Sequence, residues 1–243
     1  MKIGILAGGH GSRLGMGPKA FVLVNGIPMW QRVLEEFRGV FGNGAEIVIV
    51  APAGTPAIDG VELIVTKGKY LSDLLSVIER KPDLEPMIIV NVDAVLINTD
   101  LIRNFIDRVA ICKEDFIWPV VHRLFLWPER KSSRVTKYLV GSHNCFAQGN
   151  LIYIKGDVKP NLQIILRMNR CKPLADLIAL GWGNFLRLMT FQIKPHDIER
   201  RLGELLGCRA RLLECMWPEI AFDIDTPSDL AFAEQKLRER QVV

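Results

Sequence analysis

The 243-residue sequence has few of the features that mark membrane proteins or disulfide scaffolds. Its longer uncharged apolar runs, around residues 47–53 and 87–90, fall far short of the roughly 20 residues that span a bilayer, so no membrane partner is expected. The five cysteines (Cys112, Cys145, Cys171, Cys208 and Cys215) are odd in number, scattered and never spaced C-x-x-C. That pattern argues against both a disulfide framework and a zinc site, and it leaves the cysteines as small buried hydrophobes. Met1-Lys2 leads through five apolar residues straight into glycines, without the layout of a secretory leader, and a cytoplasmic location follows as the expectation. Internal repeats, low-complexity tracts and linkers are also lacking, which favours a single domain over 1–243.

With 49% apolar and 24% charged residues, the composition is that of an ordinary globular chain. The formal net charge is +4, but it is unevenly distributed. Between residues 122 and 172, ten Lys/Arg stand against two acids, so the remainder of the chain is net acidic. A basic middle suits nucleic acid, an acidic membrane surface, a phosphorylated small molecule or a plain solvated face. Nucleic acid is the weakest of these readings, because no nucleic-acid module is recognisable and the cations are spread rather than gathered in one stripe.

Strand and helix signals alternate. Strands are expected at Lys2–Leu6, 46–50, Val61–Val65, 87–92, 116–121, 149–154 and 209–214. Helices are expected at 28–38, 70–79, 99–111 with Thr99 as cap, 161–168, 173–180, Pro195–Leu206 and 226–240. Continuous apolarity in the early strands means burial on both faces, hence a three-layer α/β/α fold around a mostly parallel, Rossmann-like mixed sheet. Ligands of such sheets sit beyond the carboxyl ends of the strands. The looser stretch 122–148, with tryptophan, proline, serine and basic residues, reads as loops and short strands forming a basic insertion. Thr226, Pro227 and Asp229 form a capping-box signature ahead of the last helix.

The most informative stretch is LAGGHGSRLGMGPKAF, positions 6–21, directly behind the first strand. Its five glycines permit positive φ and close backbone approach to a ligand, and Arg13 and Lys19 add fixed positive charge, so an anion is the natural guest. No G-x-x-x-x-G-K-[ST] threads through it. The G-x-G-x-x-A string at Gly15, Gly17 and Ala20 lies too far past the strand for a dinucleotide fingerprint, and no acid follows at the right distance.

These residues resemble the signature of nucleotidyltransferases with a GT-A type fold, and most closely the MobA-like group named for molybdenum cofactor guanylyltransferase. The resemblance implies that Leu6, Ala7, Gly8 and Gly9, continuing through Gly11 and Ser12, line the nucleotide, while Arg13 and Lys19 neutralise its triphosphate. NVDAVLI (91–97) resembles the family's Asp-x-Pro-Leu motif with valine in place of proline, which implies Asp93 as a ligand of catalytic magnesium. FDIDTPSDL (222–230) resembles the closing motif before the last helix. Asp223 and Asp225 both lie in range of that metal, and Asp225, next to the cap, is the better placed. Gly149-Asn150 resembles the pair facing the acceptor, and the loop with Thr66, Gly68 and Ser72 resembles the one that contacts the base. Arg130, Arg134 and Lys137 in the basic stretch would meet a phosphorylated acceptor.

The implied reaction is attack by an acceptor oxygen on the α-phosphorus of a nucleoside triphosphate, with GTP or CTP as candidate donors and pyrophosphate leaving. Positioning and charge neutralisation do most of the work in such transfers, so Arg13, Lys19 and Asp93 are the expected catalytic residues. Magnesium needs only one or two carboxylates besides phosphate oxygens. Two rivals are a GT-A glycosyltransferase using a nucleotide-sugar and a catalytically silent nucleotide-binding protein. The first usually carries D-x-D at the metal strand, where this chain has only Asp93, although Asp223 and Asp225 show that spacing elsewhere.

Overall fold

The computed structural model describes residues 1–81, 85–130, 138–140, 145–156, 158, 181–189 and 194–241. At its centre is a nine-stranded sheet. β1 (Lys2–Leu6), β4 (Glu46–Ala51), β5 (Val61–Val65) and β6 (Met87–Asn91) run parallel in the order β5-β4-β1-β6. β10 (Leu151–Ile154) enters antiparallel between β6 and β7 (Phe116–His122), and β11 (Ala210–Cys215) runs parallel to β7 on its other edge. β9 (Cys145–Gln148) pairs antiparallel with the far half of β7, and β8 (Tyr138–Val140) pairs with β9. The sheet is therefore mixed but mostly parallel, as expected.

Burial explains the layers. In β1, β4 and β6 the apolar run is buried on both faces. One face packs α1 (Met29–Phe41), α3 (Thr99–Ala110) and α6 (Pro227–Gln241), with Phe37, Phe105 and Ala233 fully buried in that cluster. The other carries α2 (Tyr70–Ile78) and α5 (Pro195–Leu206), through Val77 and Leu202. Gly4 in β1 lets the Val77 side chain sit directly against the strand. A further helix, α4 (Trp182–Met189), was not anticipated. No helix among the described residues is long and apolar enough to cross a membrane.

Several boundaries differ from the sequence reading, each for a local reason. Pro28 ends a short hairpin, β2 (Leu23–Val24) with β3 (Ile27–Pro28), and α1 begins one residue later. That hairpin turns at Asn25 (φ 48) and Gly26 (φ 79), the two positive-φ positions that an Asn-Gly pair supplies. Asn98 rather than Thr99 caps α3: its side chain accepts from the Leu101 amide at 2.8 Å, and the Thr99 hydroxyl is drawn instead to Glu36. The strand expected at 149–154 starts only at Leu151, because pairing along β7 slips between Val120↔Gln148 and Ile117↔Tyr153 and expels Gly149 and Asn150 as a bulge. Cys112 and Cys215 are buried and Cys208 is half-buried, all as free thiols. The helices expected at 161–168 and 173–180, and the side chains of Cys145 and Cys171, lie outside the described residues.

Candidate active site

The carboxyl ends of β1, β5 and β6 open onto one edge of the sheet, where the glycine loop, the loop bearing Thr66 and Gly68, and the turn at Asp93 begin. The loop after β1 folds back on itself: the Leu14 and Gly15 amides donate to the Gly11 carbonyl, and the Lys19 amide donates to Gly9 at 2.9 Å. This closure requires glycine at 11, whose φ is +62 and where any Cβ would run into the Gly17 carbonyl oxygen. Lys19 opens a short 3-10 turn, Lys19–Phe21, that anchors the loop's far end through buried Ala20. Arg13 projects into solvent, its side chain 72% exposed.

The loop after β5 is braced by a buried acid. Asp73, 4% exposed in the first turn of α2, accepts from the Thr66 hydroxyl at 2.5 Å and from the Lys67 amide at 2.8 Å. Thr66 in turn accepts from the Gly68 amide at 3.0 Å. Any side chain at Gly8 would strike Thr66 Oγ1 and Asp73, so the two loops meet with no room to spare. His10 of the first loop lies over Gly68 of the second. Ser72 sits in the first turn of α2, its carbonyl accepting from the Ser76 hydroxyl.

Beyond β6 the chain turns at Asp93, and the segment before α6 passes beside it, with the Ile224 amide donating to the Asp93 carbonyl. FDID is extended: Phe222 and Ile224 are buried, and the intervening Asp223 and Asp225 point the other way. Trp127 and Phe232 pack edge-on and tilted against Phe222 and fix that alternation. Asp229 closes the expected capping box, its carboxylate accepting from the Thr226 amide at 2.7 Å while its own amide donates to the Thr226 hydroxyl.

The outcome is a cluster of three carboxylates. Oxygens of Asp93, Asp223 and Asp225 lie within 4.8 Å of one another. The Lys19 ammonium stands among them, 2.6 Å from Asp93 Oδ2 and 2.5 Å from Asp225 Oδ1, and Arg13 Nη1 reaches Asp225 Oδ2 at 3.1 Å. Burial opposes charge on Lys19, but the field of Asp93 and the hydrogen bonds to Asp225 and Asp93 outweigh it, so its pKa is raised. Burial, reinforced by the charges of Asp93 and Asp225, pushes the Asp223 carboxyl up to about 7. Asp93 Oδ1 is buried without a hydrogen-bond partner. A buried carboxylate oxygen with no donor, beside two further acids, is a hard-oxygen set that fits a small divalent cation such as magnesium.

On the sheet side, Asn150 uses both ends of its amide, accepting from Asn91 Nδ2 at 2.9 Å and donating to the Phe222 carbonyl at 3.0 Å. Gly149 lies flat on Pro119, and its carbonyl accepts from the Trp118 indole. Together the two residues tie the end of β6 to the segment that bears Asp223 and Asp225. Tyr70, at the start of α2, is half exposed, yet its hydroxyl bonds to Asn91; burial and the nearby charge of Asp93 push the phenol up to about 12.

The structure thus brings Leu6, Ala7, Gly8, Gly9, Lys19, Thr66, Gly68, Asp93 and Asp225 to one edge, with Arg13 at its rim. Arg130 ends the 3-10 turn Pro128–Arg130, and Arg134 and Lys137 lie outside the described residues. Sequence reasoning missed Asp73, Asn91 and Tyr70. For Asp73 a signal existed, because it shares the inward helical face of Ser76 and Val77, where an acid has to have a partner.

A glycine loop, a partly buried lysine and three facing acids at the strand ends of a mostly parallel sheet define a nucleotidyltransferase-type α/β protein. The chain belongs to the family of the MobA-like NTP transferase domain, whose profile matches residues 3–152. Among solved structures it is similar to a hypothetical transferase from Thermus thermophilus, with 24% identity, TM-score 0.73, and 94% of this chain and 99% of that one covered. It also resembles CMP:2-keto-3-deoxy-manno-octonic acid synthetase complexed with CTP (16%, 0.60, 98% and 98%). A third likeness is to a 2-C-methyl-D-erythritol 4-phosphate cytidylyltransferase, also from Thermus thermophilus (15%, 0.54, 98% and 100%). At these identities the likenesses establish the shared fold. No curated protein compared with the chain matches it.

Proposed function

We propose that the protein is a magnesium-dependent nucleotidyltransferase that moves a nucleoside monophosphate from a triphosphate to a phosphorylated small-molecule acceptor, releasing pyrophosphate. The carrying observation is the meeting of Lys19 with Asp93, Asp223 and Asp225 at the mouth of the glycine loop. On this reading the loop amides and Arg13 receive the β and γ oxygens, and Lys19 follows the leaving pyrophosphate. Asp93 and Asp225, with Asp223 beside them, would hold magnesium, which when bound offsets phosphate charge and orients the α-phosphate. Thr66 and Gly68, braced by Asp73, would face the base together with Ser72. An acceptor that is already an ionised phosphate needs no general base, and the basic stretch with Arg130, Arg134 and Lys137 suits its charge. The protein is proposed to act in the cytoplasm as one domain.

The test is a pyrophosphate-release screen of the four ribonucleoside triphosphates, with magnesium, against sugar, polyol and pterin phosphates. One productive pair, lost in Lys19→Ala with the fold retained, supports the reading. Triphosphate binding without release would favour a silent nucleotide-binding protein, and near-normal turnover of Lys19→Ala would remove the assigned role.

A further inference from the structure

We infer that Lys19 has two stations: without nucleotide its ammonium fills the metal cradle of Asp93 and Asp225, and a divalent ion enters only once a triphosphate has drawn the lysine off. This rests on the function proposed above and adds an order of binding to it.

The ammonium occupies two of the oxygens that the ion would use, while Asp93 Oδ1 stays unpartnered. Lys19 Nζ is 2.6 Å from Asp93 Oδ2 and 2.5 Å from Asp225 Oδ1, and the three side chains are only 12%, 14% and 20% exposed. A magnesium ion bonds carboxylate oxygen at about 2.0–2.1 Å, so one seated on either held oxygen would lie within about 4.7 Å of the ammonium, in a setting that screens charge poorly. The two cations compete for those oxygens, and only the lysine is tethered. Its backbone is fixed by the bond from its amide to the Gly9 carbonyl, while its stem lies along Gly9, which has no side chain to hold it in place. A triphosphate over the loop amides offers the lysine anionic oxygens to replace those it gives up. The apo protein thereby keeps its acids neutralised and refuses stray divalent ions, and metal affinity becomes a consequence of nucleotide binding.

Manganese, read by the electron paramagnetic resonance of the free ion, tests this with wild type, Lys19→Met and Arg13→Gln, with and without a non-hydrolysable α,β-methylene triphosphate. Lys19→Gln stands in should Lys19→Met fail to fold by circular dichroism. Without nucleotide, the Lys19 variant should bind manganese at least tenfold more tightly than wild type. Arg13→Gln, which removes a charge from Asp225 from outside the cradle, should raise affinity by a smaller factor than Lys19→Met does. The analogue should tighten manganese binding to wild type by a larger factor than it does to the Lys19 variant. Equal nucleotide-free affinity in wild type and Lys19 variant would overturn the inference while leaving the proposed function intact, and so would an Arg13→Gln effect as large as that of Lys19→Met. Failure of every analogue to recruit manganese to wild type would overturn both.

Discussion

Asp73 gives the sharpest prediction, because it touches no reacting atom and yet governs the loop proposed to meet the base. Its two oxygens hold the Thr66 hydroxyl at 2.5 Å and the Lys67 amide at 2.8 Å, and Thr66 relays the Gly68 amide at 3.0 Å. Asp73→Ala removes both acceptors. The loop borders solvent, so water replaces part of each bond, and the net loss is about 1–1.5 kcal/mol per bond, or about 2–3 kcal/mol together. If nucleotide binding must restore the loop, that sum becomes a rise in triphosphate KM of about 30- to 150-fold, at tenfold per 1.4 kcal/mol. kcat should stay within about threefold, because Lys19, Asp93 and Asp225 are held by other contacts. Asp73→Asn keeps one acceptor oxygen and should fall between wild type and Asp73→Ala. Steady-state pyrophosphate release against triphosphate concentration measures both constants. A fall in kcat at unchanged KM would refute the reasoning, as would an alanine variant with wild-type KM and melting temperature.

Three further outcomes follow. Gly11→Ala combines a φ of +62 with a collision against the Gly17 carbonyl, and should cost about 2 kcal/mol or more in urea unfolding; Gly15→Ala, at φ +71 with nothing within 4 Å, should cost only about 1. Asn150→Ala cuts the links to Asn91 and Phe222 and should lower stability by about 1–3 kcal/mol while weakening manganese binding with nucleotide present; unchanged manganese affinity would show that Asn150 does not position the acids. Asp223, raised to about 7 from 3.8 by burial and by Asp93 and Asp225, holds its proton more tightly folded than unfolded. Its stabilising contribution is therefore complete below about pH 4 and lost as pH climbs to 7, by about 4 kcal/mol in all. Metal-free wild type should lose melting temperature between pH 5 and 8, and Asp223→Asn should flatten that slope; parallel slopes would contradict the assignment.

Much of this was legible because the signals are local. The continuous apolar runs of β1, β4 and β6 announced burial on both faces, and the glycines with Arg13 and Lys19 singled out the loop that meets the acids, since neither reading depends on distant partners. Thr226 and Asp229 announced a cap for the same reason. Asn98 displaced Thr99 as the cap of α3 because Glu36, 63 residues away, claims the threonine hydroxyl, a tertiary contact that sequence proximity does not reveal. The β2-β3 hairpin had its Asn25-Gly26 signal, which went unread between longer elements. Asp223 was separated from Asp225 only by a capping argument, whereas the alternation of FDID turns both acids toward Asp93. Gly149-Asn150 was placed within a strand because a bulge has no apolar signature of its own.

The central claim is that the acids around Asp93 hold a divalent ion against the phosphates of a nucleotide lodged in the glycine loop. Its most direct test is phosphorus-31 resonance of the bound triphosphate analogue titrated with manganese. The account predicts that the α-phosphate line broadens in wild type and stays sharp in Asp93→Asn at matched nucleotide occupancy. Equal broadening in both proteins would mean that the metal rides on the nucleotide alone, and would contradict the account.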